Sequence, residues 1–97
     1  MAVNIFLKFI GTFQKLSGKK SLKLTFEDPI TVKEVIEKLI EIFPGKFKEI
    51  LLDSHLNYLQ PNSLVIINGK EISALRGIET EVEDGSEIVF VPMVHGG

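Results

Sequence analysis

The chain of 97 residues contains no cysteine. That absence excludes disulfides, thiolate metal sites, a cysteine nucleophile and an iron–sulfur cluster. Histidine is scarce as well. His55 and His95 lie far apart and have no ligand spacing, so no metal site is expected. Positive charge is not in excess: eleven basic residues face thirteen acidic ones, for a formal charge of −2. Without a basic footprint, no general affinity for nucleic acid is expected. No apolar run approaches the roughly 20 residues of a membrane helix. The stretch Met1-Ala2-Val3-Asn4-Ile5 lacks the charged and apolar regions of a signal peptide. The expected compartment is the cytoplasm.

What remains is the make-up of a soluble globular protein, 44% hydrophobic and 25% charged. The length suits one domain, residues 1–97, with a flexible C-terminal tail over residues 94–97. The segment Ile88 to Gly97 organises this reading. It opens as an apolar strand, breaks at Pro92 and closes on Gly96-Gly97. At a glycine frequency of roughly 7%, two closing glycines arise by chance in about one chain in 200.

Val3, Ile5, Leu7 and Phe9 alternate with Asn4, Phe6, Lys8 and Ile10, which predicts a strand with one strongly apolar face. Gly11 to Lys20 reads as a loop, broken at Gly11, Ser17 and Gly18, from which Phe13 and Leu16 tuck back onto the body. Ser21 to Glu27 alternates again, and a loop of this length joins the two strands most simply as an antiparallel pair. Thr31-Val32-Lys33-Glu34 is a capping box. Val32, Val35, Ile36, Leu39 and Phe43 then recur at helical spacing until Pro44-Gly45 stops the helix. Lys46 to Asp53 predicts a further turn of helix, with Phe47, Ile50 and Leu51 inward, and Ser54 to Ser63 reads as irregular.

Leu64 to Ile67 precedes Asn68-Gly69, a hairpin dipeptide in which both residues accept positive φ. Glu71 to Ser73 would return, Ala74 to Thr80 connects, and Glu83-Asp84-Gly85 turns into the last strand, Ile88 to Val91. That strand lacks alternation, which predicts burial on both faces and a place in the middle of the sheet. One helix covers one face of a sheet. The expected class is therefore α+β, in two layers.

Asn68-Gly69-Lys70, Val82-Glu83-Asp84-Gly85-Ser86-Glu87-Ile88, Pro92 and Val94-His95-Gly96-Gly97 together resemble the ubiquitin-like β-grasp sulfur carriers. The resemblance spans the whole chain in element order and is sharp over the last thirty or so residues. It is closest to the small subunit of molybdopterin synthase, with the archaeal small modifier proteins beside it and the thiamine-pathway sulfur carrier more distant. It implies a mixed sheet of four to five strands with one main helix packed on one face. It also implies a partner activating enzyme of the adenylyltransferase class, which consumes ATP to adenylate the terminal glycine, here Gly97. The adenylate then becomes a thiocarboxylate. In molybdopterin synthase the tail enters the large subunit and gives sulfur to the cofactor precursor; in the archaeal modifiers the activated glycine is also joined to lysines of target proteins. This chain departs from the usual tail at His95, where Ala is common, and at Met93, where a second Pro is common.

The chemistry suits these residues. A carboxylate is a poor acyl donor until a phosphate anhydride supplies a leaving group. Glycine lets the backbone approach the walls of another protein's pocket. Four extended residues, Val94 to Gly97, reach roughly 13 Å. Pro92 ends the strand's hydrogen bonding and frees the tail. The expected site is thus Gly97 as the activated terminus, Val94, His95 and Gly96 as the threading tail, and no bound cofactor. His95 itself is read as a solvated tail residue. Phe6, Ile10 and Met93 are candidates for a docking surface; for Phe6 and Ile10 the other reading is that the loop covers them through Phe13 or Leu16. Glu79, Glu81, Glu83, Asp84 and Glu87 either meet a basic partner surface or form a solvated turn region. No nucleophile–base pair, metal cluster or phosphate-cradling loop points to an independent enzyme, and no catalytic residue is assigned. A non-covalent interaction module with an idle tail is the alternative of another class.

Overall fold

The structure is a computed structural model that describes residues 1–53, 55 and 57–93, leaving aside the side chain of Asn57. Strand β1 (Ala2–Phe9) buries Val3, Ile5, Leu7 and Phe9, the face its alternation predicts. It pairs antiparallel with β2 (Ser21–Glu27), Phe6 opposite Lys23 and Leu7 opposite Leu22. The hairpin of β6 (Leu64–Ile67) and β7 (Lys70–Glu71) turns through Asn68 at φ 49° and Gly69 at φ 85°. Both values belong to the tight turn that this dipeptide favours. Strand β9 (Glu87–Val91) runs parallel to β1 and antiparallel to β6. Among the described residues, the main sheet has the order β2-β1-β9-β6-β7.

Helix α2 (Val32–Ile42) starts at the capping box, where Glu34 accepts hydrogen bonds from the Thr31 backbone N–H and hydroxyl. It buries Val32, Val35, Ile36 and Leu39 against one face of the sheet. Helix α3 (Lys46–Leu51) follows Pro44-Gly45 and buries Phe47 and Leu51. With five sheet strands and the helices on one side, the fold is the ubiquitin-like β-grasp, in the α+β class.

Five local readings are corrected. The segment after β1 is a short helix, α1 (Thr12–Ser17), and not a loop. Its Phe13 is fully buried, which draws the segment onto the core, and Gly18 ends it in the left-handed conformation at φ 75°. Six residues are too few to display a helical period. The stretch expected to be irregular contains β5 (Asn57–Pro61), paired through a register shift with β4 (Leu52–Asp53). The returning strand expected over Glu71 to Ser73 is confined to β7 at Lys70–Glu71, and Ile72–Ala74 that follow form a turn of 3-10 helix. Besides these segments, a two-stranded pair of β3 (Ile30–Thr31) and β8 (Glu81–Val82) joins the start of α2 to the approach to β9. Strands of two residues carry no pattern of their own. Finally, β9 is central, as its composition predicts, but it is not covered on both faces. Ile88 and Phe90 are buried, whereas Glu87, Val89 and Val91 are half-exposed on the side away from the helices.

Candidate functional site

The root of the C-terminal tail sits on a braced corner. At the end of the parallel pair, the Ile10 N–H donates to the Phe90 carbonyl over 3.1 Å. Proline brings no N–H, so β9 gives way at Pro92. Behind this corner five phenylalanines pack together. The Phe9 ring lies 5.6 Å from Phe47 and 6.0 Å from Phe90, Phe13 lies 5.1 Å from Phe47, and Phe43 lies 5.1 Å from Phe47. Such edge and offset contacts add to the burial of large rings. Pro92 is half-buried, and Met93 beyond it is exposed. With Thr12, Asn62 and Ser63 they line an open depression of about 310 Å³. The tail residues Val94, His95, Gly96 and Gly97 lie outside the described residues.

The second part of the site is the sheet face that no helix covers. Register puts Lys23, Phe6 and Glu87 in one row, and Ser21, Lys8, Val89, Ile66 and Glu71 in the next. Val91 and Leu64 form a third, at the tail end. Phe6 and Ile10 are each 46% exposed and Met93 is 53% exposed. The choice left open for Phe6 and Ile10 is resolved by α1, which packs Phe13 among core rings on the helical side and leaves both residues uncovered. The apolar part of this face includes Leu64, Ile66, Val89 and Val91. The run Ile88 to Val91 read as a doubly buried strand, and the one-sided placement of the helices exposes the second face of Val89 and Val91. Leu16, by contrast, is 39% exposed and does not tuck in fully.

Charges border the apolar rows. Lys8 Nζ pairs with Glu87 over 3.1 Å, and Lys23 lies 6.0 Å from the Phe6 ring centroid. Within the acidic set, Asp84 Oδ1 accepts the Asn4 N–H over 2.8 Å and Glu87 pairs with Lys8. The motif residues Asn68 and Glu87 meet directly. The Asn68 carboxamide oxygen accepts the Glu87 N–H at 2.9 Å, and the Asn68 N–H donates to the Glu87 carbonyl at 2.9 Å. These residues hold the start of β9 in register. Among the described residues, no three His, Cys, Asp or Glu side chains gather as a metal site would need, and no helix is long and apolar enough to cross a membrane.

A model of the ThiS family matches residues 7–97. The chain belongs to the ThiS family. Its members and their relatives are small ubiquitin-like carriers and modifiers. Small archaeal modifier protein 3 of Haloferax volcanii is 31% identical over 91 residues, covering 94% of this chain and 96% of that protein. A protein of Archaeoglobus fulgidus, named as a candidate sulfur carrier, is 36% identical over 70 residues, covering 72% of this chain and 77% of that one. Among solved structures, small archaeal modifier protein 1 of Methanosarcina acetivorans superposes with a TM-score of 0.81 at 25% identity, covering 100% of this chain and 99% of that one. In this ThiS-family chain, the open face and the braced corner at Pro92 therefore belong to a carrier or modifier scaffold.

Proposed function

We propose that this chain is a non-catalytic carrier whose Gly97 carboxylate is activated by a partner enzyme of the adenylyltransferase class. A carboxylate oxygen attacks the α-phosphorus of ATP and releases pyrophosphate. Hydrosulfide supplied through the partner then attacks the acyl carbon, displaces AMP and, on losing its proton, leaves a thiocarboxylate. The observation that carries this reading is the continuity between the open apolar face and the tail root. Phe6, Val89 and Val91 lead along the sheet to Pro92, so a partner seated on this face stands beside the place where the tail begins. The face supplies docking, and Val94, His95 and Gly96 thread the terminus into the partner. Met93 extends the docking face toward the tail. ATP serves as co-substrate of the partner and is not held by this chain, which would work in the cytoplasm.

Sulfur donation to the molybdenum cofactor precursor, with this chain as small subunit beside a molybdopterin synthase large subunit, is the leading use of the thiocarboxylate. The likeness to a small archaeal modifier favours a second use, in which activated Gly97 is joined to lysines of target proteins. Both rest on the same activation. Incubation with ATP, the activating enzyme and a sulfur source should raise the intact mass by about 16 Da, oxygen having been exchanged for sulfur. A chain lacking Gly97 should gain nothing and melt at nearly the same temperature. An unchanged mass for the full chain would rule the reading out. Gly-Gly remnants on lysines in cell extracts would select conjugation over cofactor synthesis. Partner binding that survives loss of Gly96-Gly97, without any adduct, would select a non-covalent module.

A further inference from the structure

Between β1 and α1 the backbone turns at Gly11, with φ 57° and ψ −123°. Residues with a side chain rarely adopt this region. Gly18, Gly45, Gly69, Gly77 and Gly85 also have positive φ, but a Cβ built on any of them meets nothing within 4 Å. A Cβ on Gly11 would stand 3.2 Å from Cγ and 3.7 Å from Cδ of Pro92. Gly11 is held from both sides. The preceding Ile10 N–H bonds the Phe90 carbonyl at 3.1 Å, and the Gly11 carbonyl accepts the Gln14 N–H at 3.0 Å. The Pro92 ring therefore rests on bare backbone that is itself tied to β9 and to α1.

We infer that Gly11 is a positioning residue for the C-terminal carboxylate: its bare Cα is the seat that sets the direction in which the chain leaves Pro92. This rests on the activation of Gly97 proposed above. Docking, as proposed above, uses side chains of the sheet face, and Gly11 has none to contribute. Delivery of the terminus depends on the angle at Pro92, and small misplacements of a reacting group are costly in rate.

The test uses the full chain, ATP and the activating enzyme, following pyrophosphate release. Gly11→Ala should lower kcat about tenfold and leave the KM for the carrier within about twofold. Gly45 has a similar backbone conformation, φ 82° and ψ −129°, but a Cβ there meets open space, so in Gly45→Ala kcat should hold. In a Pro92→Ala background, Gly11→Ala should cost less than about twofold, since the opposing ring is gone. Equal losses in Gly11→Ala and Gly45→Ala, or an additive cycle, would overturn the proposal. A second readout needs no partner: the Met93 amide resonance should shift in Gly11→Ala and stay in place in Gly45→Ala. If the wild-type chain is never adenylated, the functional reading fails while the Met93 resonance still judges the seat. Should Gly11→Ala not fold, Pro92→Ala reads the same contact from the other side. Met93 follows residue 92 directly and its resonance moves in any Pro92 variant, so kcat is the readout here: it should fall at constant KM, and a wild-type kcat would overturn the seat.

Discussion

The ring of Phe13 lies 6.3 Å from that of Phe90, at a steep interplanar angle of 69°. One residue comes from the segment joining the first two strands, the other from the central strand just before the tail. Their contact pins α1 to the helical side of the sheet. It also backs the corner at Pro92. Phe13→Ala should destabilise the protein by about 3 kcal/mol, the usual cost of emptying a buried phenylalanine site. Urea denaturation monitored by circular dichroism measures this. A cost like that of Leu16→Ala, whose side chain is largely solvated, would show that α1 is not anchored through Phe13.

The open face makes a different demand. Phe6 is surrounded by solvent, Lys23 and Glu87, so Phe6→Ser should change stability by no more than about 0.5 kcal/mol. If a partner docks here, the same substitution should weaken its binding about tenfold or more, as loss of an aromatic anchor commonly does. Titration calorimetry with the activating enzyme separates the two effects. Undiminished affinity would move docking to another surface.

Acid should act through the start of α2. The hydrogen bond from the Thr31 hydroxyl is the main influence holding the Glu34 carboxyl below its ordinary value of 4.5. Desolvation is the next largest influence and opposes it, and the backbone N–H groups of Thr31 and Glu34 and the charge of Lys33 add smaller lowering contributions. Because folding lowers this pKa, the stabilisation is complete above the unfolded value and disappears as pH falls through the folded one. The stability difference between wild type and Glu34→Gln should therefore shrink from about pH 5 to pH 3. A gap that stays constant across this range would mean that the charged carboxylate adds nothing. At neutral pH, Thr31→Ala should cost about 1 kcal/mol, as for other N-caps.

Asp84 ties the turn before β9 to the first strand through the Asn4 N–H, and the Gly85 N–H donates to the Asn4 carbonyl over 2.8 Å. Asp84→Ala leaves the first donor to water and should cost about 1 kcal/mol, as for a partly exposed hydrogen bond to a charged acceptor. Asp84→Asn retains an acceptor oxygen and should cost less. Thermal melts of the two variants make the comparison. Equal costs would assign the role to charge rather than to the hydrogen bond.

Much of this architecture is local and therefore legible. Alternation in Val3 to Phe9 assigns the buried face of β1, because successive side chains point to opposite sides. Thr31 and Glu34 mark the start of α2, Pro44-Gly45 its end, and Asn68-Gly69 the hairpin, because each acts through backbone geometry within a few residues. The family resemblance drew on Asn68 and on Glu83 to Ile88, and these residues prove to be the fixings of the central strand. The apolar character of β9 was sufficient to predict its central place, though not its half-open second face.

The composition and the near neighbours of each residue determined β1, β2, α2, the β6–β7 hairpin and β9, and with them the class and the candidate terminus. Only the tertiary structure decided that β1 lies parallel beside β9, that α1 crosses to the helical side and that Pro92 comes down on Gly11. Those contacts join residues about eighty positions apart, and no short-range pattern encodes them. They follow from the need to bury five phenylalanines at one end of a sheet covered on a single face.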